Sequence, residues 1–490
     1  MDRCRLFVNH HKKPTRSKNM SIKVKSLLSK KKSTKLAQKE VERSVSSSIN
    51  KIRSAFSKKK LDQIAWETGF VKRASSKLLG WDFLLTLLIS SLDTAHSSLE
   101  KISSILTKVN KDVRITAQSI MERINRPETA DFCLKVQEMI LSERISTLTK
   151  TISPALFSYF SKVFIQDSTV LELNENLQKN FTGSGGRSSK SSAKIDVIYE
   201  LLEKRYVKFT VTDQKETDSS LASGVDDFLT ESSLVIRDLG YLRIDRLRSI
   251  IQKSGYFLSR LKANFSIFLD PDSEISINIA DCFNDEDSLV DIPVYITEDR
   301  LPVRLIAYRA PEDVVAKRKR LAYATAKKQG RTLGEKSLKF MEFTIFITNV
   351  PPEKWPPEVI GTIYSIRWQI ELLFKNWKSG MSIHYLKGVN KNRITALIYV
   401  RILLMLIINE VYTLASWLSE STGKVVSMYK VFVWMKDPER LRQMLEGLWK
   451  RWEIRFFLDT VLKCMCQQTR KRKTTMQAIF EGISYEEYCA

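Results

Sequence analysis

Two segments of this chain constrain its fold more than any other feature. Residues 162–173 read KVFIQDSTVLEL, and residues 232–241 read SSLVIRDLGY. Each is an apolar run of strand length beside turn-forming residues, and each runs into an aspartate, Asp167 or Asp238. Such runs suit strands buried inside a sheet. A carboxylate closing a buried strand is poorly solvated, which is costly unless it is paired or bound to a cation. A strand-terminal Asp more often forms an Asx-type turn, so the repeat by itself leaves both readings open.

A third carboxylate enters through helical geometry. Residues 364–378 read YSIRWQIELLFKNWK. At about 100° per residue, Tyr364, Arg367, Glu371 and Lys378 sit near 0°, 300°, 340° and 320° on the helical wheel, an arc of roughly 60°. The adjoining arc is apolar: Ile363, Ile366, Ile370, Leu373, Phe374 and Trp377. A carboxylate is thus fixed between two cations and a phenol at the edge of a buried face. An Arg-x-x-x-Glu pair alone also reads as a surface ion pair. Three converging carboxylates would repel one another unless a divalent cation lay between them. Hard cations such as Mg²⁺ take carboxylates together with substrate phosphates. Two such ions about 3.5–4 Å apart stabilise the attacking and leaving oxygens of an in-line phosphoryl displacement. Arg367 and Lys378 can then grip phosphates, and Tyr364 can donate to one.

Charge agrees with a phosphate-rich partner. The 490 residues carry a net charge of +25, with a pI near 9.6. A chain this basic expects a polyanion, nucleic acid first and an anionic membrane surface second. Residues 1–60 hold 19 Lys and Arg against 3 acidic residues. They read as a mobile basic arm with short helices at most. The 6 cysteines form no C-x-x-C pair, and the 4 histidines have no metal-ligand spacing, so free thiols in a reducing compartment are expected. No apolar leader is read at the N-terminus. Residues 396–418 are long and apolar enough to span a membrane, but Arg401, Asn409 and Glu410 interrupt them. A mid-bilayer charge costs about 2.5–3.5 kcal/mol, so a core helix is expected instead.

Residues 61–158 read as mostly helical. GWDFLLTLLISSL (80–92) is a core helix, and ITAQSIMERI has the small-residue spacing of a helix-turn-helix, which ordinary packing also produces. Strands are expected at IDVIYEL, YVKFTVTD and YFLSRLKAN (256–264), the last after a helix over LRIDRLRSIIQKSG. GSGGRSSKSSAK (183–194) lacks phosphate-loop spacing and reads as a flexible loop. Residues 266–347 alternate in short runs, FSIFL, EISINI, PVYI, VRLIAY and EFTIFIT, interrupted by the basic helix EDVVAKRKRLAYATAKKQ (312–329). NDEDSLVD (284–291) reads as a solvated loop, and helices resume to the C-terminus.

These motifs resemble the insertion-sequence DDE transposases of the IS-four family. YSIRWQIELLFKNWKSG is similar to the family's Y-x-x-R-x-x-x-E-x-x-x-x-x-x-K signature. FIQDST resembles its first-aspartate motif. VIRDLGYLRIDRLRSIIQKSGYFLSRLKAN resembles its second, a D-x-G-Y/F, a helix, and a strand carrying R-x-K. The resemblance runs from about residue 60 to about 420 and implies an α/β fold. An RNase H-like catalytic domain would occupy 159–265 and 348–420, split by a β-rich insertion at 266–347. A basic arm (1–60) and a helical DNA-binding region (61–158) would precede it, and a helical C-terminal region (421–490), a candidate dimerisation unit, would follow. The resemblance further implies Asp167, Asp238 and Glu371 as catalytic ligands of two Mg²⁺ ions, with Mn²⁺ as a substitute. It implies that Tyr364, Arg367 and Lys378 contact DNA, with Arg260 and Lys262 near the end DNA. Water would attack a phosphodiester at the element end. The freed 3′-hydroxyl would then attack the opposite strand to form a hairpin, and later the target. The implied partners are double-stranded DNA, at terminal inverted repeats and target, and a second copy in a homodimeric synaptic complex, with no membrane. The implied place is the prokaryotic cytoplasm, at the nucleoid. Some relatives stabilise a flipped base with a Trp of the insertion, where this chain offers Phe343 or Trp355. The alternatives are a catalytically silent, transposase-derived DNA-binding protein and a nuclease without strand transfer.

Overall fold

A computed structural model describes residues 34–93, 98–143, 155–185, 189–283, 287–420 and 424–467. Among these residues nine strands form one sheet: β1 (Lys162–Glu172), β2 (Ser192–Glu200), β3 (Arg205–Asp213), β4 (Ser233–Arg237), β5 (Tyr256–Arg260), β6 (Ile267–Phe268), β7 (Leu289–Ile296), β8 (Leu301–Arg309) and β9 (Phe343–Thr348). Their spatial order is β3-β2-β1-β4-β5-β9-β8-β7-β6. β1, β2 and β3 form an antiparallel meander, and β4 and β5 run parallel to β1. β9 turns antiparallel to β5 and carries the remaining strands. The strand-rich insertion therefore extends the main sheet.

Side-chain alternation along the strands divides the interior into two cores. Val163 and Ile165 of β1 and Leu234 and Ile236 of β4 face one core, while Phe164 and Val235 face the other. The first is roofed by the helical segment 360–381 and by the helix Lys391–Glu420, against which the helices of 34–142 and 428–460 also pack. The second is closed by the helix Ile244–Gln252, through Leu247 and Ile250, and by β7, β8 and β9. Lys391–Glu420 is long and apolar enough to cross a membrane, but 78% of its apolar stretch is buried inside the protein. Its interrupting polar residues have internal tasks. Arg401 donates to the carbonyls of Ser382 (3.1 Å), Ile383 and Tyr385, and Asn409 donates to Lys204 O at 3.0 Å.

Three expectations need correction. The basic arm does not extend to residue 60: Thr34–Ala55 is a 22-residue helix. Its Val45, Ile49 and Ile52 recur at helical spacing and are buried, and Glu42 binds Arg451 (2.8 Å) and Arg455 (2.7 Å) of the helix Arg451–Thr460. Residues 1–33 lie outside the described residues, as does TRKRK. EISINI is no strand. Turn bonds precede it, with Asp270 accepting from Asp272 N at 2.9 Å, and Asn278 caps a short 3-10 turn at Ile279–Cys282. NDEDSLVD is not a loop throughout: 284–286 lie outside the described residues, and Asp291 belongs to β7, held by Arg304 at 2.7 Å.

Candidate active site

Strand register brings the two aspartates together. The parallel pairing of β1 with β4 ends at Gln166 opposite Arg237. The next residues, Asp167 and Asp238, therefore stand side by side. Asp167 does not close its strand, as the sequence led us to expect. β1 continues to Glu172 against β2 alone, and it is β4 that stops. Beyond the end of β4 the sheet opens, and Asp238 leads into a 3-10 turn, Leu239–Tyr241.

The striped helix supplies the third carboxylate. It forms as two α segments, Ile360–Tyr364 and Trp368–Met381, joined by a 3-10 turn at Ser365–Arg367. Ile363, Ile366, Ile370, Phe374 and Trp377 are buried, anchoring the helix on the sheet with the stripe at its edge. Arg367 then reaches the centre of the site. Its Nη1 lies 3.1 Å from Asp167 Oδ2 and 2.7 Å from Glu371 Oε1, and its Nε lies 3.8 Å from Asp238 Oδ1. All three carboxylates gather around one guanidinium. Burial pushes the Asp167 carboxyl up to about 7. The Ser168 N–H and Arg367 pull it down, and Asp238 and Glu371 push it further up.

An open cleft of about 760 Å³ surrounds these groups, lined by Asp167, Asp238, Arg367, Glu371 and Lys378 with Ser168, Thr169, Phe374, Lys375, Ser379 and His384. Lys378 is exposed, and partial burial lowers its pKa. Tyr364 lies beneath the cleft, packed on Phe346 with ring centroids 5.0 Å apart. Burial raises its phenol to about 12, and its hydroxyl has no hydrogen-bond partner among the described residues. Arg260 is half-buried at the end of β5 and does not line the cleft. Lys262 is also absent from it, donating to Leu242 O at 3.0 Å. Neither aromatic offered for base stacking is free. Trp355 is fully buried and donates to Leu156 O at 2.7 Å, and Phe343 is buried against Phe283.

Residues 158–407 match the family model described as "Transposase DDE domain". The chain belongs to the DDE transposases. It is therefore an enzyme of DNA cleavage and transfer, and its partner is DNA. Among its relatives, the transposase of insertion sequence element IS231F from Bacillus thuringiensis subsp. israelensis is 27% identical over 448 residues, covering 87% of this chain and 93% of the relative. The IS231B transposase of subsp. berliner is 26% identical over 396 residues, covering 77% and 82%. The IS1151 transposase of Clostridium perfringens is 27% identical over 400 residues, covering 78% and 84%.

DDE transposases generally depend on divalent metal ions. In this transposase the donors fit such an ion chemically: three carboxylates supply the hard oxygens that Mg²⁺ takes. Among the described residues, no group of three or more His, Cys, Asp or Glu side chains is arranged as a metal cage. The three acids are spaced instead by Arg367. Sequence reasoning missed two residues of the cleft, Lys375 and His384, and a supporting network. Lys375 continues the stripe four residues after Glu371, a spacing that could have revealed it. His384 follows Ser382, whose φ of 51° ends the helix, and no periodicity marks it. On the opposite sheet face, Tyr241 donates to Asp196 Oδ1 at 2.6 Å, and Gln166 donates to Asp196 Oδ2 and Leu221 O, both at 3.0 Å. This network ties the turn after Asp238 to β1 and β2.

Proposed function

We propose that this transposase performs cut-and-paste transposition of an insertion sequence, with Asp167, Asp238 and Glu371 as its catalytic triad. The observation that carries this reading is the convergence of the three carboxylates on Arg367 inside a cleft that also holds Lys375 and Lys378. The strand order β3-β2-β1-β4-β5 supports an RNase H-like core with the first two acids on adjacent central strands. Asp167, Asp238 and Glu371 would hold the metal, a pair of Mg²⁺ ions with Mn²⁺ as a substitute. When bound, such ions stabilise the attacking and leaving oxygens of phosphodiester hydrolysis. Arg367 and Lys378 neutralise phosphates entering the cleft, and Lys375 adds a third cation. Tyr364 fixes the base of the helix that carries them. Arg260 and Lys262 flank the site as contacts for end DNA. The helical region 61–158 binds element ends, and the C-terminal helices support a homodimeric synaptic complex at the nucleoid.

Hydrolysis at the element end leaves a 3′-hydroxyl, which attacks the opposite strand to form a hairpin and expels the flanking 3′-oxygen. Water reopens the hairpin, and the 3′-hydroxyl then attacks a target phosphodiester and expels the 3′-oxygen of the cut target strand. The test uses an end duplex with Mg²⁺. Asp167→Asn, Asp238→Asn and Glu371→Gln should each abolish cleavage while retaining end binding. Cleavage by any of the purified variants would remove that residue from the triad.

A further inference from the structure

Resting on the transposase reading, we propose that the helix Glu312–Lys328 of the insertion is a docking face for the phosphate backbone of duplex DNA running beside the cleft. From 314 to 331 the chain holds seven Lys and Arg and no acidic residue. Only Ala326 of this 17-residue helix is buried, so packing uses a small part of its surface.

The cations divide into two sets. Arg318 faces the protein, donating to Met341 O (3.1 Å), Phe343 O (3.0 Å) and Thr344 Oγ1 (2.8 Å), and Lys319 pairs with Glu342 at 2.7 Å. At about 100° per residue, Lys317, Arg320, Lys327 and Lys328 occupy an arc of about 100° centred opposite that docked side. All four are exposed, and none has an acidic partner among the described residues. Four unpaired cations on one free face make an anion-binding strip. From Lys317 to Lys328 the strip is ~16 Å long at ~1.5 Å per residue, the rise of about five base pairs at ~3.4 Å each.

Sheet register roots this helix at the edge of the sheet that holds the site. β8 ends with Arg309 opposite Phe343, and β9 pairs with β5 through Phe346 opposite Arg260. β5 runs parallel to β4, which stops one residue before Asp238. The basic helix therefore leaves the sheet at the same edge as Asp238. It does so three strands away, roughly 15 Å at ~4.8 Å per strand. A second copy of the chain is the poorer occupant, because each copy brings a net charge of +25.

The test replaces Lys317, Arg320, Lys327 and Lys328 together by Gln. Binding of a random-sequence duplex of about 30 base pairs is followed by fluorescence anisotropy across a salt series. Each lost phosphate contact lowers the log–log salt slope by about 0.9, so the variant slope should fall by up to about 3.6. Lys317→Arg, Lys327→Arg and Lys328→Arg together should keep the wild-type slope, and an unchanged melting midpoint confirms that the Gln variant is folded. A folded Gln variant with the wild-type slope overturns the docking face, as does loss of self-association with no change in slope. Failure of the wild-type chain to bind duplex DNA rejects the transposase reading itself.

Discussion

Replacing Arg367 by Met removes the one cation that the three carboxylates share while keeping most of the side-chain volume. Arg367 and Asp167 each retain 16% side-chain exposure, so their pair is largely buried. Breaking a buried pair from one side costs about 3–5 kcal/mol. Asp238 and Glu371, at 44% and 31% exposure, face the cleft and add little. With that open side taken into account, Arg367→Met should destabilise the metal-chelated protein by about 2–4 kcal/mol. The loss should depend on pH. Asp167 has its folded pKa raised to about 7 even with Arg367 beside it, and higher without it. A carboxyl raised on folding costs stability when ionised, and the cost shrinks as pH falls from the folded pKa toward the unfolded one. The deficit should therefore be largest near pH 8 and smaller near pH 5.5. Denaturant unfolding in EDTA, followed by tryptophan fluorescence, measures both. Adding Asp167→Asn to Arg367→Met should recover most of the loss. Wild-type stability at both pH values, or a deficit that grows as pH falls, would refute the electrostatic reasoning.

Two further outcomes follow from buried groups. Burial raises Glu410 to about 7, so Glu410→Gln should stabilise the protein above neutral pH by up to about 3 kcal/mol, an advantage that vanishes toward pH 5 in pH-dependent melting curves. Trp355→Ala should cost about 3–5 kcal/mol of stability in denaturant melts, because it empties a fully buried site. Its effect on fluorescence of a 2-aminopurine-labelled DNA end should be nil when compared under conditions where the variant stays folded.

The sequence was most legible where periodicity governs. The apolar runs around Asp167 and Asp238 became adjacent strands, and the stripe from Tyr364 to Lys378 became one edge of a helix on the sheet. Partner geometry was not legible. Nothing local says that β1 outlasts β4, so Asp167 looked strand-terminal when its neighbour is what ends. A helical wheel gives directions but not reach, so Arg367 was expected to flank Glu371 when its guanidinium stands among all three acids. Composition misled at 34–60, where Lys and Ser concealed the Val45, Ile49 and Ile52 stripe. Alternation in EISINI promised a strand, but turns bracket it, and its Ile277 N–H bond to Ile267 O at 2.8 Å does not continue into a ladder. The Tyr241–Asp196 bond joins residues 45 positions apart and leaves no local pattern.

The claim that the three carboxylates form one metal site is tested most directly by titrating Mn²⁺ into the protein and counting bound ions by electron paramagnetic resonance. Saturable binding to wild type that is weakened at least tenfold by Asp167→Asn, by Asp238→Asn and by Glu371→Gln is expected, about 1.4 kcal/mol or more for each lost ligand. Variants that bind Mn²⁺ as wild type does would contradict it.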